Sequence, residues 1–364
     1  MSIEGRLAAI RRTLVQHQLP SGGWPALALS SQTAIEPTAY SMLALGSGLQ
    51  GEYQHARQVL LHCQNPNGSW PAFVGDDQEG AWTTALALVA LRTNFEDAPV
   101  RLKGFRWLLR SAGRESSWLW RWKFRTTDRH VRFDPNKFGW PWQPDTNSWV
   151  VPTAFAILAL NQLPCSCGLE HPELRLQRGV EMLLDRVCPG GGWNAGNGVV
   201  YGAALAPHPD DSALALLALK NHADEPAVIR SLQWLESISP RLRAPWSLAW
   251  AVLALAAHSR HVDSLLNSLA KLVESTDIDD VATLAVLALA LDYERSLTLL
   301  GSYRWPSRVE NYWSAVPGWL LAPASRLPFS GADITCRVVH RDQELQFFGL
   351  KITRGQWTIY YSLG

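Results

Sequence analysis

No uninterrupted apolar run in the chain reaches the roughly 18 residues that a membrane-spanning helix needs. The first residues, MSIEGRLAAIRR, also lack the long apolar core of a secretory signal. Both absences lead us to expect a soluble protein of the cytoplasm, with peripheral contact to a membrane surface left open. Cysteine is scarce and odd in number: Cys63, Cys165, Cys167, Cys188 and Cys336, five in 364 residues, cannot form a fully paired disulfide framework and fit reduced thiols. Net charge is nearly absent, at +1, which argues against a nucleic-acid partner. There is no Walker loop, no G-x-S-x-G elbow and no dinucleotide fingerprint set between a strand and a helix, so nucleotide, hydrolase-triad and NAD chemistry have no foothold. Cys165-Ser-Cys167, His171 and Cys188 do not have the spacing of a common structural zinc site. We therefore expect neither a metal nor a cofactor.

What the chain does have is 18 tryptophans and a repeat. One octet recurs six times: TAYSMLAL (38–45), TALALVAL (84–91), TAFAILAL (153–160), SALALLAL (212–219), LAWAVLAL (248–255) and ATLAVLAL (282–289). Each is rich in Ala and Leu, free of Pro and Gly, and apolar on every side, as a helix buried all round must be. Ahead of each octet lies a segment with one apolar stripe and one charged face, such as GRLAAIRRTLVQHQ, QRGVEMLLDRV or DSLLNSLAKLVEST. Six outer and six inner helices in alternation predict an all-α chain folded as a closed (α/α)6 toroid over residues 1–300. An open solenoid is the alternative, disfavoured because its terminal repeats need polar caps that these octets lack.

Two stretches break the pattern. Residues 115–149 interleave Trp118, Trp120, Trp122, Phe124, Phe133, Phe138, Trp140, Trp142 and Trp149 with Arg121, Lys123, Arg125, Arg129, Arg132 and Lys137. So many aromatics argue against disorder and for a lid over one end of the ring, and the alternation in WLWRWKFR predicts a short strand. Residues 301–364 form a second region, in which 327–364 alternates β-branched and aromatic residues around the turns RDQE and RGQ. It predicts a small antiparallel sheet that packs on the toroid or serves an oligomer interface.

The loops QLPSGGW (18–24) and QNPNGSW (64–70) both run from Gln to a Gly-preceded Trp, and the segment RGVEMLLDRVCPGGGW (178–193) keeps the Gly-Trp close. They resemble the QW repeat of the terpenoid cyclase and protein prenyltransferase β-subunit superfamily, whose members are α/α toroids. Repeat 4 departs from it with Val187 in place of Gln, and repeats 5 and 6 lack the loop. Class II terpene cyclases, the squalene-hopene type among them, carry a D-x-D-D-T-A string at the start of an inner helix. The segment His208-Pro209-Asp210-Asp211-Ser212-Ala213 looks like that string with His for the first Asp. The resemblance implies Asp210 as general acid, tuned by Asp211 and His208. A second candidate, Asp277-Ile278-Asp279-Asp280, keeps the literal D-x-D-D but lacks the loop ahead of it. Helix capping is the plain reading of both pairs.

The resemblance thus implies an isoprenoid substrate, protonated to start a carbocation cyclisation or isomerisation. Trp82, Trp140, Trp142, Trp149, Trp193 and Tyr201 are the expected aromatic walls, with Arg121 and Arg125 as cations for a phosphate or diphosphate. The prenyltransferase Asp-x-Cys zinc pair occurs nowhere in the chain. Class II cyclases of this type place their cavity between two helical barrels, and this chain has room for one. A homo-oligomer or a partner chain could complete the wall. A non-catalytic toroid that binds an isoprenoid, another lipid or a protein partner is the alternative, as is unrelated chemistry on the same fold.

Overall fold

The computed structural model describes residues 2–46, 49–93, 97–126, 133–163, 169, 172–300, 334–340, 350–354 and 357–363. Cys165, Cys167, His171, Arg129 and Arg132 lie outside them. The chain divides into two compact units, residues 1–303 and 304–364.

In the first unit each repeat is an outer and an inner helix. These are α1 (Ile3–Gln16) and α2 (Ile35–Leu45), linked through the paired strands β1 (Trp24–Pro25) and β2 (Thr33–Ala34); α3 (Gln50–His62) and α4 (Thr83–Ala90); and α5 (Ala98–Arg110) and α7 (Val150–Leu160), with α6 (Trp118–Thr126) in the insertion between them. They continue as α8 (Pro172–Asp185) and α9 (Pro209–Ala218), linked by the hairpin β3 (Val199–Val200) and β4 (Ala203–Ala204); α10 (Pro226–Ile238) and α11 (Pro245–Ala257); and α12 (Asp263–Ser275) and α13 (Val281–Leu291), followed by α14 (Tyr293–Leu300). Along the ring α2 packs on α4, then α7, α9, α11 and α13 in turn, and α13 packs back on α2. The ring is closed. Each inner helix is buried on its axial side and under its outer partner, which is why the octets have no polar face. Among the described residues no helix is long and apolar enough to cross a membrane.

Four tryptophans tie each outer helix to its inner partner in the same way. Trp24, Trp70, Trp140 and Trp193 are buried, and their indole N–H groups donate to Leu14, Leu60, Leu108 and Leu183 carbonyls at 2.7, 2.6, 2.7 and 2.7 Å. Those carbonyls belong to the last turn of an outer helix, where the helix itself supplies few donors. The same tryptophans donate their backbone N–H to a hydroxyl that opens the following inner helix: Thr38, Thr84, Thr153 and Ser212, at 2.9, 2.9, 2.9 and 2.7 Å.

The loop is then fastened to the next repeat. Gln18 Nε2 donates to the carbonyls of Gly22 and Glu52, and Gln64 Nε2 to those of Gly68 and Val100. In repeat 4, where Val187 replaces Gln, Ser231 of α10 accepts from Gly192 N instead. In repeat 3 Arg175 of α8 donates to Ser111, Phe138 and Gly139 carbonyls, with its guanidinium 3.4 Å from the centre of the Trp140 ring. Gly68 (φ +96°) and Gly191 (φ +93°) are left-handed, and a Cβ there would meet the Lys103 and Arg230 carbonyls at 2.5 and 2.8 Å. Only glycine fits both demands.

At the C-terminal ends of the inner helices, basic side chains take the spare carbonyls. Arg295 reaches Leu43 and Ala44, Arg11 reaches Ala44, and His258 Nε2 meets Leu216. At the opposite end the loops pair backbone to backbone around a rim: repeat 6 with 1 (Ala28 N to Asp279 O, 2.8 Å), 1 with 2 (Ile35 N to Ala72 O, 2.9 Å), 2 with 3 (Trp82 N to Trp142 O, 3.0 Å) and 3 with 4 (Val150 N to Ala195 O, 2.9 Å).

The segment WLWRWKFR is a helix, not the expected strand. Among the described residues no strand pairs with it, and the helix brings residues three and four apart together: Trp120 and Phe124 ring centres lie 6.0 Å apart, and Lys123 Nζ is 4.5 Å from the Trp120 ring. The second unit contains β5 (Ile334–His340), β6 (Leu350–Arg354) and β7 (Trp357–Leu363) in an antiparallel sheet of order β5-β7-β6, as its alternation predicts.

The tryptophan seats carry a stability prediction. Trp70→Phe keeps most of the buried ring but leaves the Leu60 carbonyl without its donor, and we expect a loss of about 1–3 kcal/mol. Trp118, which is 74% exposed, should tolerate the same change within about 0.5 kcal/mol. Chemical denaturation of the two variants checks the difference.

Candidate functional site

The seat hydroxyls put four repeats in register, the octets of repeats 5 and 6 extend it, and together they define a ring of six positions two residues ahead of each octet. In chain order these are Glu36, Trp82, Val151, Asp210, Trp246 and Asp280. They stand at the N-terminal ends of the inner helices, at the rim of paired loops. One turn deeper, the third residue of each octet gives Tyr40, Leu86, Phe155, Leu214, Trp250 and Leu284. Aromatic and leucine alternate around that inner ring.

The three aromatics meet across the axis. Ring centres are 6.2 Å apart for Tyr40 and Phe155, 5.9 Å for Tyr40 and Trp250, and 6.1 Å for Phe155 and Trp250, and all three side chains are buried. The toroid is therefore plugged by an aromatic layer. Above it sit half-buried aromatics: Trp246, 6.1 Å from Tyr40 and 5.7 Å from Trp250, and Trp82, 5.5 Å from Phe155 and itself edge-on to Trp142 at 5.1 Å.

Glu36 lies in this upper layer, in the first turn of α2. Burial, and secondarily the negative charge of Asp280 on the neighbouring helix, push its carboxyl from 4.5 to about 7. Half of its population keeps a proton at neutral pH. The Tyr40 hydroxyl is pushed up as well, first by burial and then by Glu36 and Asp280. Asp280 caps α13, with Oδ2 accepting from Thr283 N at 2.8 Å, whereas Asp277 and Asp279 are exposed.

The repeat-4 pair is divided between two settings. Asp210 is half-buried at the ring position, three repeats round from Glu36. Asp211 is buried and bound to His208, Nδ1 to Oδ2 2.8 Å; burial raises its carboxyl while the His208 hydrogen bond works against that. His208 lines a side cavity rather than the axis. That cavity, about 540 Å³, runs between the insertion and the repeat-4 loop and includes Phe124, Phe133, Trp149 and Asn194 in its wall.

The expected substrate-binding residues do not form one group. Trp82 and Trp142 join the axial layer, and Trp149 lines the side cavity. Trp140 and Trp193, expected as substrate walls, stand as helix ties, with both indoles sealed beneath outer helices. Arg125 and Tyr201 are exposed, Tyr201 at the tip of the β3–β4 hairpin, and Arg121 is half-buried on α6. Trp118 and Trp122 point to the outside at 74% and 59% exposure, so the insertion helix does not turn these aromatics inward. Among the described residues no cluster of three His, Cys, Asp or Glu could hold a metal. A groove of about 740 Å³ between α1 and the start of α3 lies at the other end of the ring, away from these carboxyls.

Sequence reasoning missed Glu36, Tyr40, Phe155 and Trp246. The signal was present in IEPTAY: its Glu stands where Asp210 stands in PDDSAL, once the octets are aligned on Thr38 and Ser212.

No family model matches the chain, and no curated protein matches it in sequence. Solved structures do match in fold. An α-amylase from Clostridium perfringens superposes with a TM-score of 0.55 at 9% identity, covering 80% of this chain and 97% of that one. A β-1,3-1,4-glucanase from a Paenibacillus gives 0.52 at 9% identity, over 84% and 93%. A type II terpene cyclase from Scytonema gives 0.51 at 14% identity, over 82% and 99%. At such identities the likeness is one of fold. The chain is an (α/α)6 toroid, an architecture that occurs in both carbohydrate-active and terpene-cyclising enzymes.

Proposed function

We propose that the chain is a proton-transfer enzyme of the class II terpene-cyclase type, with Glu36 as the acid. The observation that carries this reading is the carboxyl of Glu36, held near 7 at the top of an aromatic stack. A protonated carboxyl gives its proton to one carbon of an isoprenoid double bond, or to an epoxide oxygen. The π pair, or the C–O bonding pair, is consumed and a carbocation remains. Trp82 and Trp246, half-buried in the mouth, offer ring faces to that cation, and the buried Tyr40 and Phe155 beneath them close the axis to water, which would quench it. Asp280 holds the proton on Glu36 by its own negative charge. Asp210, at the equivalent ring position, is the second carboxyl within the mouth. The reaction ends when a proton returns to a base, so no cofactor is consumed.

A second reading is favoured by the Glu36–Asp280 pair itself: a carboxyl that keeps its proton near a second carboxyl also describes a glycoside hydrolase. The two readings differ in product. Incubation in D2O with linear isoprenoids, squalene and geranylgeraniol among them, should give a product with a new C–D bond. Incubation with β-glucan or maltooligosaccharide should give no new reducing ends. The opposite pair of results replaces the first reading by the second.

Glu36→Gln should lower turnover by about 10²–10⁴-fold with the fold intact. Loss of turnover in Asp210→Asn but not in Glu36→Gln would move the acid to repeat 4. Activity should also fall as pH rises through about 7, because the acid form is then lost.

The same shift predicts a stability profile. The folded state holds the Glu36 proton more tightly than the unfolded chain does, so the contribution is complete below about pH 4.5 and is lost as pH rises through about 7. Between pH 5 and pH 8 the wild type should lose up to about 3 kcal/mol relative to Glu36→Gln, at about 1.4 kcal/mol per pKa unit. Urea unfolding of both proteins at the two pH values reads this out.

A further inference from the structure

The side cavity has features that the axial chemistry does not use. Its floor is the ion pair Glu115–Arg186, with Arg186 Nη2 2.9 Å from Glu115 Oε1 and the two residues 1% and 3% exposed. Both are locked to Ser148: its N–H donates to the Glu115 carboxylate at 3.2 Å, and its carbonyl accepts from Arg186 Nη1 at 3.0 Å. The Phe133 ring lies 4.4 Å from the guanidinium. The two charges cancel. An anion entering this cavity would find its one buried cation already matched.

Polar atoms nevertheless remain unused around the cavity. Arg186 Nε and Asn197 Oδ1 are buried without a hydrogen-bond partner, a costly state unless something occupies the space beside them. His208 at the edge has Nδ1 fixed on Asp211, which leaves Nε2 for another group. The rest of the wall is mainly apolar and aromatic, from Phe124, Phe133, Trp149 and Leu205, with Asn147 and Asn194 set among them. A donor, an acceptor and an imidazole nitrogen on an aromatic wall, with no net charge, select for a ring that is apolar on its faces and hydroxylated at its edge.

We propose that this cavity is a binding site for a neutral, hydroxyl-bearing six-membered ring, separate from the axial mouth. The ring packs on the wall of Trp149, Phe124 and Phe133, and its hydroxyls bond Arg186 Nε–H, Asn197 Oδ1 and His208 Nε2. A sugar and a phenol both present this chemistry. The site does not depend on the proton-transfer reading of Glu36, and its test is independent of turnover.

Saturation-transfer NMR on the full chain, with methyl β-D-glucopyranoside, phenol and benzene as probes, tests the proposal. At least one hydroxylated ring should bind saturably and at least about tenfold more tightly than benzene, the order of one net hydrogen bond. Preference for the glucoside identifies a sugar site, and preference for phenol an aryl site. Asn197→Ala and His208→Asn, whose amide can still donate to Asp211 but which lacks Nε2, should each reduce the preference over benzene about tenfold. Glu36→Gln should leave binding unchanged. The proposal is overturned if neither hydroxylated ring binds, if benzene binds as tightly, if inorganic diphosphate displaces the probe, or if Glu36→Gln abolishes binding while Asn197→Ala does not.

Discussion

A buried tryptophan that donates two hydrogen bonds, one from its indole and one from its backbone, is the contact on which the ring depends. In four repeats the tryptophan side chain donates to the end of an outer helix while its own backbone N–H donates to the start of an inner one. The two helices of a repeat are therefore set at one height and one angle by a single residue. Since four consecutive pairs are set alike, the first turns of their inner helices arrive at one level. The rim of loop pairing and the layered ring positions follow from that common level. Repeats 5 and 6 have no such tie, and they are held by packing between their neighbours and, for repeat 6, by the backbone pairs with repeat 1.

A common level turns a repeat into a site. Each inner helix contributes the residue two before its octet to the mouth and the third residue of its octet to the layer below. A change at the first position alters the mouth without touching the octet that packs the ring, whereas a change at the second alters the axial layer. The six mouth residues hold three carboxyls, two tryptophans and a valine, while the layer below alternates aromatic and leucine. Leucine between aromatics leaves space for three large rings to meet on the axis, where six would not fit.

Most of the toroid was legible because the octets have no polar face and because Gln, Gly and Trp recur at fixed spacing. Where the repeat is interrupted the reading failed. Residues 118–125 alternate large and basic side chains, a pattern compatible with a strand or with a short helix, and no local signal separates the two when pairing is absent. Trp140 and Trp193 could not be distinguished from Trp82 and Trp142 by type alone. What separates them is a hydroxyl 13 or 19 residues further on, which makes the first two helix ties. Glu36 was invisible for a different reason: its proton affinity comes from burial and from Asp280, which is remote in sequence and adjacent only because the ring closes.

All six inner helices begin at the mouth and end at the base, where Arg11, Arg295 and His258 take up their carbonyls. Peptide dipoles that point the same way add, so the mouth is the positive end of a six-helix bundle and the base the negative end. In the proposed reaction, a proton leaving Glu36 creates two charges at once. The carboxylate left behind stands in the first turn of α2, the end that favours negative charge. In that reaction the N-terminus of α2 favours the carboxylate left behind and disfavours a cation at the same level, so the two products of the transfer are kept apart within the first turn of the mouth.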